Sequence, residues 1–282
     1  MIARVALATM DPYPWVVDDE VHLRDALARR GVEVVSPAWT ADFPWSTVDL
    51  VLLRTTWDYH LRHHDFLAWC ERVAAVTRLV HGPRVVRWNV DKRYLAALAE
   101  RGAPMAPTIW LPDGAPLPGS LPARGFLKPI IGANAHATLK YSGRDVGAIE
   151  AHRAAFLGLG GFMLQPYLAA VETEGELSAI CVAGRYAHGV RKVPAAGDYR
   201  VQEDWGARDE AYDFLPAERA LIERVVAAAG SLVGERLVYG RVDLLRDDAG
   251  ALVVNEVELV EPCLFFRHGP RTADLLVDAL LA

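Results

Sequence analysis

The sequence predicts an α/β protein, and three observations carry that expectation. Short apolar runs alternate with amphipathic segments over the first third of the chain, the rhythm of βαβ units. A proline-crowded stretch, with Pro104, Pro107, Pro112, Pro116, Pro118 and Pro122, then separates this part from the rest. Beyond it, strand-like segments end in two runs that carry acidic residues inside otherwise apolar sequence. A chain of 282 residues, 52% hydrophobic and 23% charged, has the composition of a packed protein rather than a disordered one.

Residues 4–9 read as a first strand. This run is stopped by Asp11 and two prolines, too short for a signal segment or a membrane span. A helix is expected over 18–30, with Val21, Leu23, Ala26 and Leu27 broadly on one side and Gly31 as its stop. Strands follow at 34–35 and 50–53, a helix at 64–76 and a strand at 84–87. A short helix over 91–101 ends at Gly102. After the prolines, strands at 125–129, 137–141 and 162–165 surround a helix at 145–157. Strands at 176–182 and 185–193 are joined by Ala183-Gly184, a hairpin turn. A helix at 217–229 precedes the acidic strands, and a helix at 271–281 closes the chain. Ligands of parallel sheets sit at the carboxyl ends of strands. That singles out the loop Arg54-Thr55-Thr56-Trp57-Asp58-Tyr59, with residues 11–15 as a second substrate-side loop.

Asp243 is read at the end of one acidic strand, with Glu256 and Glu258 on the next. Side chains alternate along a strand, so Glu256, Glu258 and Val254 are expected on one face and Val253, Asn255, Val257 and Leu259 on the other. Buried carboxylates need a countercharge. A hard cation fits, and Mg²⁺ commonly takes one or two carboxylates plus substrate phosphates. Lys92 at a helix start and Lys128 at a strand end are compact charges suited to phosphate. The loop Ile131-Gly132-Ala133-Asn134-Ala135-His136-Ala137-Thr138 lets backbone N–H groups approach an anion, although it is neither a Walker A loop nor GxGxxG. In Leu164-Gln165-Pro166-Tyr167-Leu168 the proline frees backbone groups for the edge of a purine. Arg191 and Lys192 lie inside a strand and Arg200 on the following loop, and guanidinium forks match phosphate.

Other features narrow the class. A net charge of -6 without a basic stripe excludes a general nucleic-acid binder. Cys70, Cys181 and Cys263 lack metal or redox spacing and read as reduced thiols of a cytoplasmic protein. His63 and His64, adjacent at a helix start, are expected to face different directions, so a surface role is read for them. His60 and His268 are the histidines placed near the substrate.

Taken in order, these segments resemble an ATP-grasp ligase. Asp91-Lys92-Arg93-Tyr94-Leu95 with Gly102-Ala103-Pro104-Met105-Ala106-Pro107-Thr108 resembles the superfamily's "DK…L…G.P.P.T" stretch. Phe126-Leu127-Lys128-Pro129 resembles its phosphate-lysine strand, 164–168 its adenine hinge, and Arg241-Val242-Asp243 with Glu256-Val257-Glu258 its magnesium cluster. Val86-Arg87-Trp88-Asn89, the run 188–192 and Glu256-Val257-Glu258-Leu259-Val260-Glu261-Pro262 place it in the glutathione-synthetase-like branch, nearest the D-cycloserine synthetase family of O-ureidoserine cyclo-ligases. The chain departs from the superfamily by carrying Glu258 where a metal-site asparagine is usual, and Asn134 and His136 in the small-residue loop.

The resemblance implies an ATP-grasp fold, with a pre-ATP-grasp βαβ domain over 1–103 and ATP-binding subdomains over 104–170 and 171–282 on either side of the nucleotide cleft. It implies ATP with one or two Mg²⁺, or Mn²⁺ in their place, held by Asp243, Glu256 and Glu258. Lys92 and Lys128 would hold phosphates, with Lys192 also in the nucleotide site. Gln165, Tyr167 and Leu168 would frame the adenine. Glu174, among Glu172, Glu174 and Glu176, would take the ribose. Arg200, with Arg191, would stabilise charge on the transferring group, and Thr56, Asp58 and Tyr59 would meet the substrate. The implied partner is a small amino-acid-like molecule, with no nucleic acid and no membrane, and homodimers are common among such enzymes. The implied reaction makes an acyl phosphate for attack by an amine. A cyclo-ligase on an amino-acid derivative is favoured over a two-substrate amino-acid or dipeptide ligase, and both over a non-catalytic nucleotide-binding module.

Overall fold

The computed structural model describes residues 2–11, 17–142, 145–202 and 205–282. Most of the 11–15 loop therefore lies outside the described residues. Among the described residues the strands form three sheets.

The first is parallel, in the order β2-β1-β3-β4, from β1 (Arg4–Thr9), β2 (Glu33–Val35), β3 (Leu50–Thr55) and β4 (Arg78–Val80). Helices α1 (Val21–Arg29) and α2 (His63–Ala74) connect its strands. All six residues of β3 are buried, as a parallel strand covered on both faces requires. One face packs Leu23 and Leu27 of α1 with Leu264, Phe266 and Leu276 from the end of the chain. The other packs Phe66, Trp69 and Cys70 of α2.

The strand expected at 84–87 is instead α3 (Pro83–Asn89), with Pro83 in its first turn. A proline there loses no hydrogen bond and presets the helical φ, which outweighs the strand preference of Val85-Val86. α4 (Tyr94–Glu100) follows. Val85 of α3 and Leu95 and Leu98 of α4 pack against Leu177 and Val242 of the C-terminal sheet, although they precede the boundary expected at 103/104.

The second sheet is antiparallel, ordered β5-β8-β6-β7, from β5 (Ile109–Leu111), β6 (Arg124–Pro129), β7 (Leu139–Ser142) and β8 (Phe162–Pro166). Helix α5 (Val146–Ala155) buries Ile149 against it.

After the single turn α6 (Ala170–Thr173), the third sheet runs β11-β10-β9-β12-β13, all antiparallel. Its strands are β9 (Glu176–Val182), β10 (Arg185–Val193), β11 (Arg208–Tyr212), β12 (Tyr239–Arg246) and β13 (Leu252–Glu258). Ala183 (φ 50°) and Gly184 (φ 81°) are both left-handed, as a two-residue hairpin needs. Helix α7 (Pro216–Val233) covers one face, and α8 (Arg271–Leu281) reaches back to α1 through Arg29–Asp274 and Arg30–Asp278 ion pairs. Among the described residues no helix is long and apolar enough to cross a membrane.

His81, just after β4, joins the first sheet to the third. Its Nδ1–H donates to the Leu259 carbonyl (2.8 Å) and its Nε2 accepts from the Val238 N–H (2.9 Å). These partners fix the neutral tautomer, and burial lowers its pKa to about 4. The unfolded chain then binds the extra proton first, so stability falls as pH drops from about 6.5 toward 4. We expect this residue alone to cost about 3 kcal/mol by pH 4. In His81→Gln, urea midpoints measured between pH 7 and 5 should depend less on pH than in the wild type.

Candidate active site

The second and third sheets and the loops after β3 and β6 enclose a cavity of about 350 Å³, within the range of small-molecule sites. Its acidic wall is built by β12 and β13. Asp243 lies in mid-strand rather than at an end, directly opposite Glu256, and Arg241 is opposite Glu258. The pairing then shifts, so that Leu244 meets Val254 and Asn255 is an extra residue. This bulge corrects the expected alternation. The side chains of Val254, Val257 and Leu259 are in the core, with Val254 also bordering the cavity, whereas Val253, Asn255, Glu256 and Glu258 line the cavity without joining that core. Val254 therefore does not share the glutamates' face, and Asn255 joins them.

Each of the three acids is held by a basic side chain. Glu256 pairs with Lys92. Asp243 accepts from Arg241 Nε (2.9 Å) and Ser178 Oγ (2.5 Å), with Lys192 Nζ at 3.4 Å. Glu258 pairs with Arg241. Burial opposes ionisation of Asp243, but Arg241 and Lys192 outweigh it and hold the carboxyl below the usual range. Glu258 goes the other way: burial, with Asp243, Glu256 and Glu261 nearby, pushes it up despite Arg241. Negative charge is thus in local excess. Among the described residues the acids form no ready-made metal cluster. Their oxygen donors and surplus charge suit a divalent cation that shares its coordination with phosphates.

The basic side is more finely divided. Lys128 Nζ donates to Asn255 Oδ1 (2.9 Å), and Asn255 Nδ2 donates to Glu176 Oε2 (2.8 Å). Burial lowers the Lys128 pKa. Lys192 pairs with Glu176. The Lys92 N–H donates to the Ile130 carbonyl (3.0 Å), tying it to the loop after β6. In that loop Asn134, Ala135 and Ala137 have φ between 52° and 56°, a concave backbone of the kind that receives anions. A side chain at Gly132 would put Cβ 2.7 Å from Pro129 Cγ.

Of the residues expected here, Lys92, Lys128, Lys192, Gln165, Leu168, Tyr59, Arg200, Asp243, Glu256 and Glu258 line the cavity. Gln165 Nε2 donates to Thr108 Oγ1 (3.0 Å), and Leu168 packs with Ala106 and Val253 in an apolar slot. Arg200 pairs with Asp198 (2.6 Å) and lies over the Trp205 ring (3.6 Å).

The others are elsewhere. Arg191 is not on the cavity wall; it pairs with Glu210 of β11 (Nε–Oε1 2.6 Å), because adjacent strand residues face opposite ways. Tyr167 bonds Glu172 and packs at a tilt against Phe126, and Glu174 pairs with Arg246 (3.2 Å); neither lines the cavity. Among Glu172, Glu174 and Glu176, Glu176 is the one on the wall. Thr56 is fully buried, and Asp58 accepts from Trp39 Nε1 (2.8 Å) and Arg62 (2.7 Å). The His63 and His64 rings lie 4.0 Å apart rather than facing different directions. His60 is packed 5.2 Å from the ring of His136, which does line the cavity, and His268 pairs with Asp209 (2.5 Å). Burial pushes the Cys263 thiol up to about 12, leaving it un-ionised at neutral pH.

Sequence reasoning missed Asn255, Arg208, Asn89 and Glu261, all on the wall, and gave Arg241 no role. Arg241 was findable, since it stands two residues from Asp243 on the same strand face.

Three sheets around a cavity that sets lysines against carboxylates define an ATP-grasp ligase. A family model described as the N-terminal domain of D-cycloserine synthetase DcsG matches residues 5–81. The chain is 34% identical over 238 residues to the cycloserine biosynthesis protein DcsG of Streptomyces lavendulae, covering 78% of each. It therefore belongs to the D-cycloserine synthetase DcsG family. The crystal structure of D-cycloserine synthetase DcsG superposes with a TM-score of 0.88 at 30% identity, covering 99% of this chain and 98% of that one. D-alanine–D-alanine ligase of Bacillus anthracis complexed with ATP shares the fold, with a TM-score of 0.69 at 16% identity over 99% of this chain and 96% of that one. So does a RimK domain ATP-grasp protein of Sphaerobacter thermophilus, at 0.67 and 19% over 99% and 100%.

Proposed function

We propose that this ligase activates the carboxylate of an amino-acid derivative as an acyl phosphate, which a second nitrogen of the same molecule attacks to close a ring. O-ureidoserine is the substrate to test first. A carboxylate oxygen bonds the γ-phosphorus of ATP as the bond to ADP breaks. The nitrogen of the ureido N–H on the side-chain oxygen then bonds the acyl carbon, losing its proton as phosphate leaves. One observation carries this reading: a single cavity wall sets Lys92, Lys128 and Lys192 against Asp243, Glu256 and Glu258, beside the apolar slot of Ala106, Leu168 and Val253.

The residues fit Mg²⁺, held by Glu256 and Glu258 with Asp243; when bound it supplies charge neutralisation on the phosphates. Lys128 and Lys92 bind the phosphate tail, and Lys92 exchanges Glu256 for it. Leu168, Ala106 and Val253 hold the base, with Gln165 at its edge. Arg200 and Arg241 face the charge that develops during transfer. The cavity wall holds the reactants in line and excludes water.

Lys128→Met should raise the dissociation constant of Mg·ATP about 30-fold, since it removes one charge-assisted contact, while the fold persists. Titration calorimetry reads this, and an unchanged constant removes Lys128 from the phosphate site. ADP release is screened against O-ureidoserine, amino acids and dipeptides, with product mass separating cyclisation from joining. Absence of Mg·ATP uptake by the wild type would end the proposal.

A further inference from the structure

One carboxylate on the wall lacks the partner that every other has. Glu261 is 7% exposed and lines the cavity. Among the described residues no lysine, arginine or histidine nitrogen pairs with it, whereas Asp243, Glu256 and Glu258 are each held by Arg241 or a lysine. A buried carboxylate without a countercharge is unfavourable until a cation arrives. Its surroundings say what kind. Trp57 Nε1–H donates to the Glu261 carbonyl (3.4 Å), and both Trp57 and Tyr59 line the same cavity. Burial, and after it the charge of Glu261 more than that of any other acid, pushes up the Tyr59 phenol. A cavity lined by both aromatic rings and a carboxylate favours an organic ammonium, through cation–π attraction and one charge-assisted hydrogen bond. A hydrated metal ion gains less from such walls. Lys128 and the loop after β6, the phosphate-receiving features, belong to the second sheet, whereas Trp57 and Tyr59 follow β3 of the first.

We infer that Glu261 is the specificity residue for a protonated amine on the substrate, received against Trp57 and Tyr59. This rests on the ligase reading above and narrows its substrate to molecules that keep a free ammonium while their carboxylate is activated.

The test compares O-ureidoserine with its analogue lacking the α-amine, by calorimetry on wild type and Glu261→Gln, with a non-hydrolysable ATP analogue and Mg²⁺ present. The wild type should bind the amine-bearing molecule about 30-fold more tightly, and Glu261→Gln should erase that preference. Glu261→Asp should keep part of it, which separates lost charge from lost folding. A preference that survives in Glu261→Gln, a wild type that shows none, or no binding of either molecule would overturn the assignment. So would a fall in Mg²⁺ affinity of Glu261→Gln measured without substrate, which makes Glu261 a metal residue. A wild type that prefers the amine but releases no ADP leaves Glu261 assigned and refutes the proposed reaction instead.

Discussion

Replacing Glu256 by glutamine is expected to lower ADP release by about a thousandfold while the protein stays folded. The amide keeps the shape of the side chain and can still accept from Lys92, so what disappears is the negative charge. That charge stands opposite Asp243 on the paired strand, and both carboxylates help to push up the neighbouring Glu258. The Glu256 side chain is 29% exposed to the cavity, so the change adds no buried orphan and the melting midpoint should move by only a few degrees. A coupled ADP assay beside a thermal melt reads both. Turnover above a tenth of wild type would show that Glu256 does not bind the catalytic cation.

The largest effect on stability should come from Arg54. Its guanidinium, 1% exposed, forks onto Glu20, 5% exposed, and Nη2 also donates to the Pro262 carbonyl at 2.9 Å. Arg54→Met leaves a buried carboxylate without its countercharge, and should cost about 3–5 kcal/mol in urea unfolding. Glu20→Gln strands the guanidinium and should cost a similar amount. The double variant should be less destabilised than the sum of the two, because neither charge then remains alone. The contrast is the Arg24–Asp25 pair, with side chains 46% and 51% exposed, whose loss should cost well under about 1 kcal/mol. If Arg54→Met behaves like an Arg24 variant, the buried pair is not what secures the first sheet to the C-terminal segment.

Much of the fold was legible because local signals agreed with the tertiary structure. The Ala183-Gly184 turn, flanked by apolar strands, located β9 and β10 to the residue. The acidic positions and Lys128 stood out because charge inside apolar strands needs a reason. Where reading failed, the deciding contact was remote. Val85-Val86 favoured a strand locally, but Pro83 and burial against Leu177 and Val242 made a helix. β5 and β11 are edge strands, short or polar, whose pairing is set by the neighbour rather than by their own pattern. Arg191 and Lys192 are adjacent cations, and only the position of β11 shows that Glu210 claims the first and the cavity the second. The bulge at Asn255 is a property of two strands together, so alternation counted along one strand put that residue on the wrong face.

That asparagine has an electrical consequence. Lys92 and Lys192 each pair with a carboxylate, but Lys128 leans on a neutral amide. An amide orients an ammonium without cancelling it. Among the cavity lysines of the described residues, Lys128 is therefore the one paired with no carboxylate, so a polyanion can meet it before any internal pair has to exchange partners. Under the proposed function, docking of the phosphates then has a first step that slows in high salt.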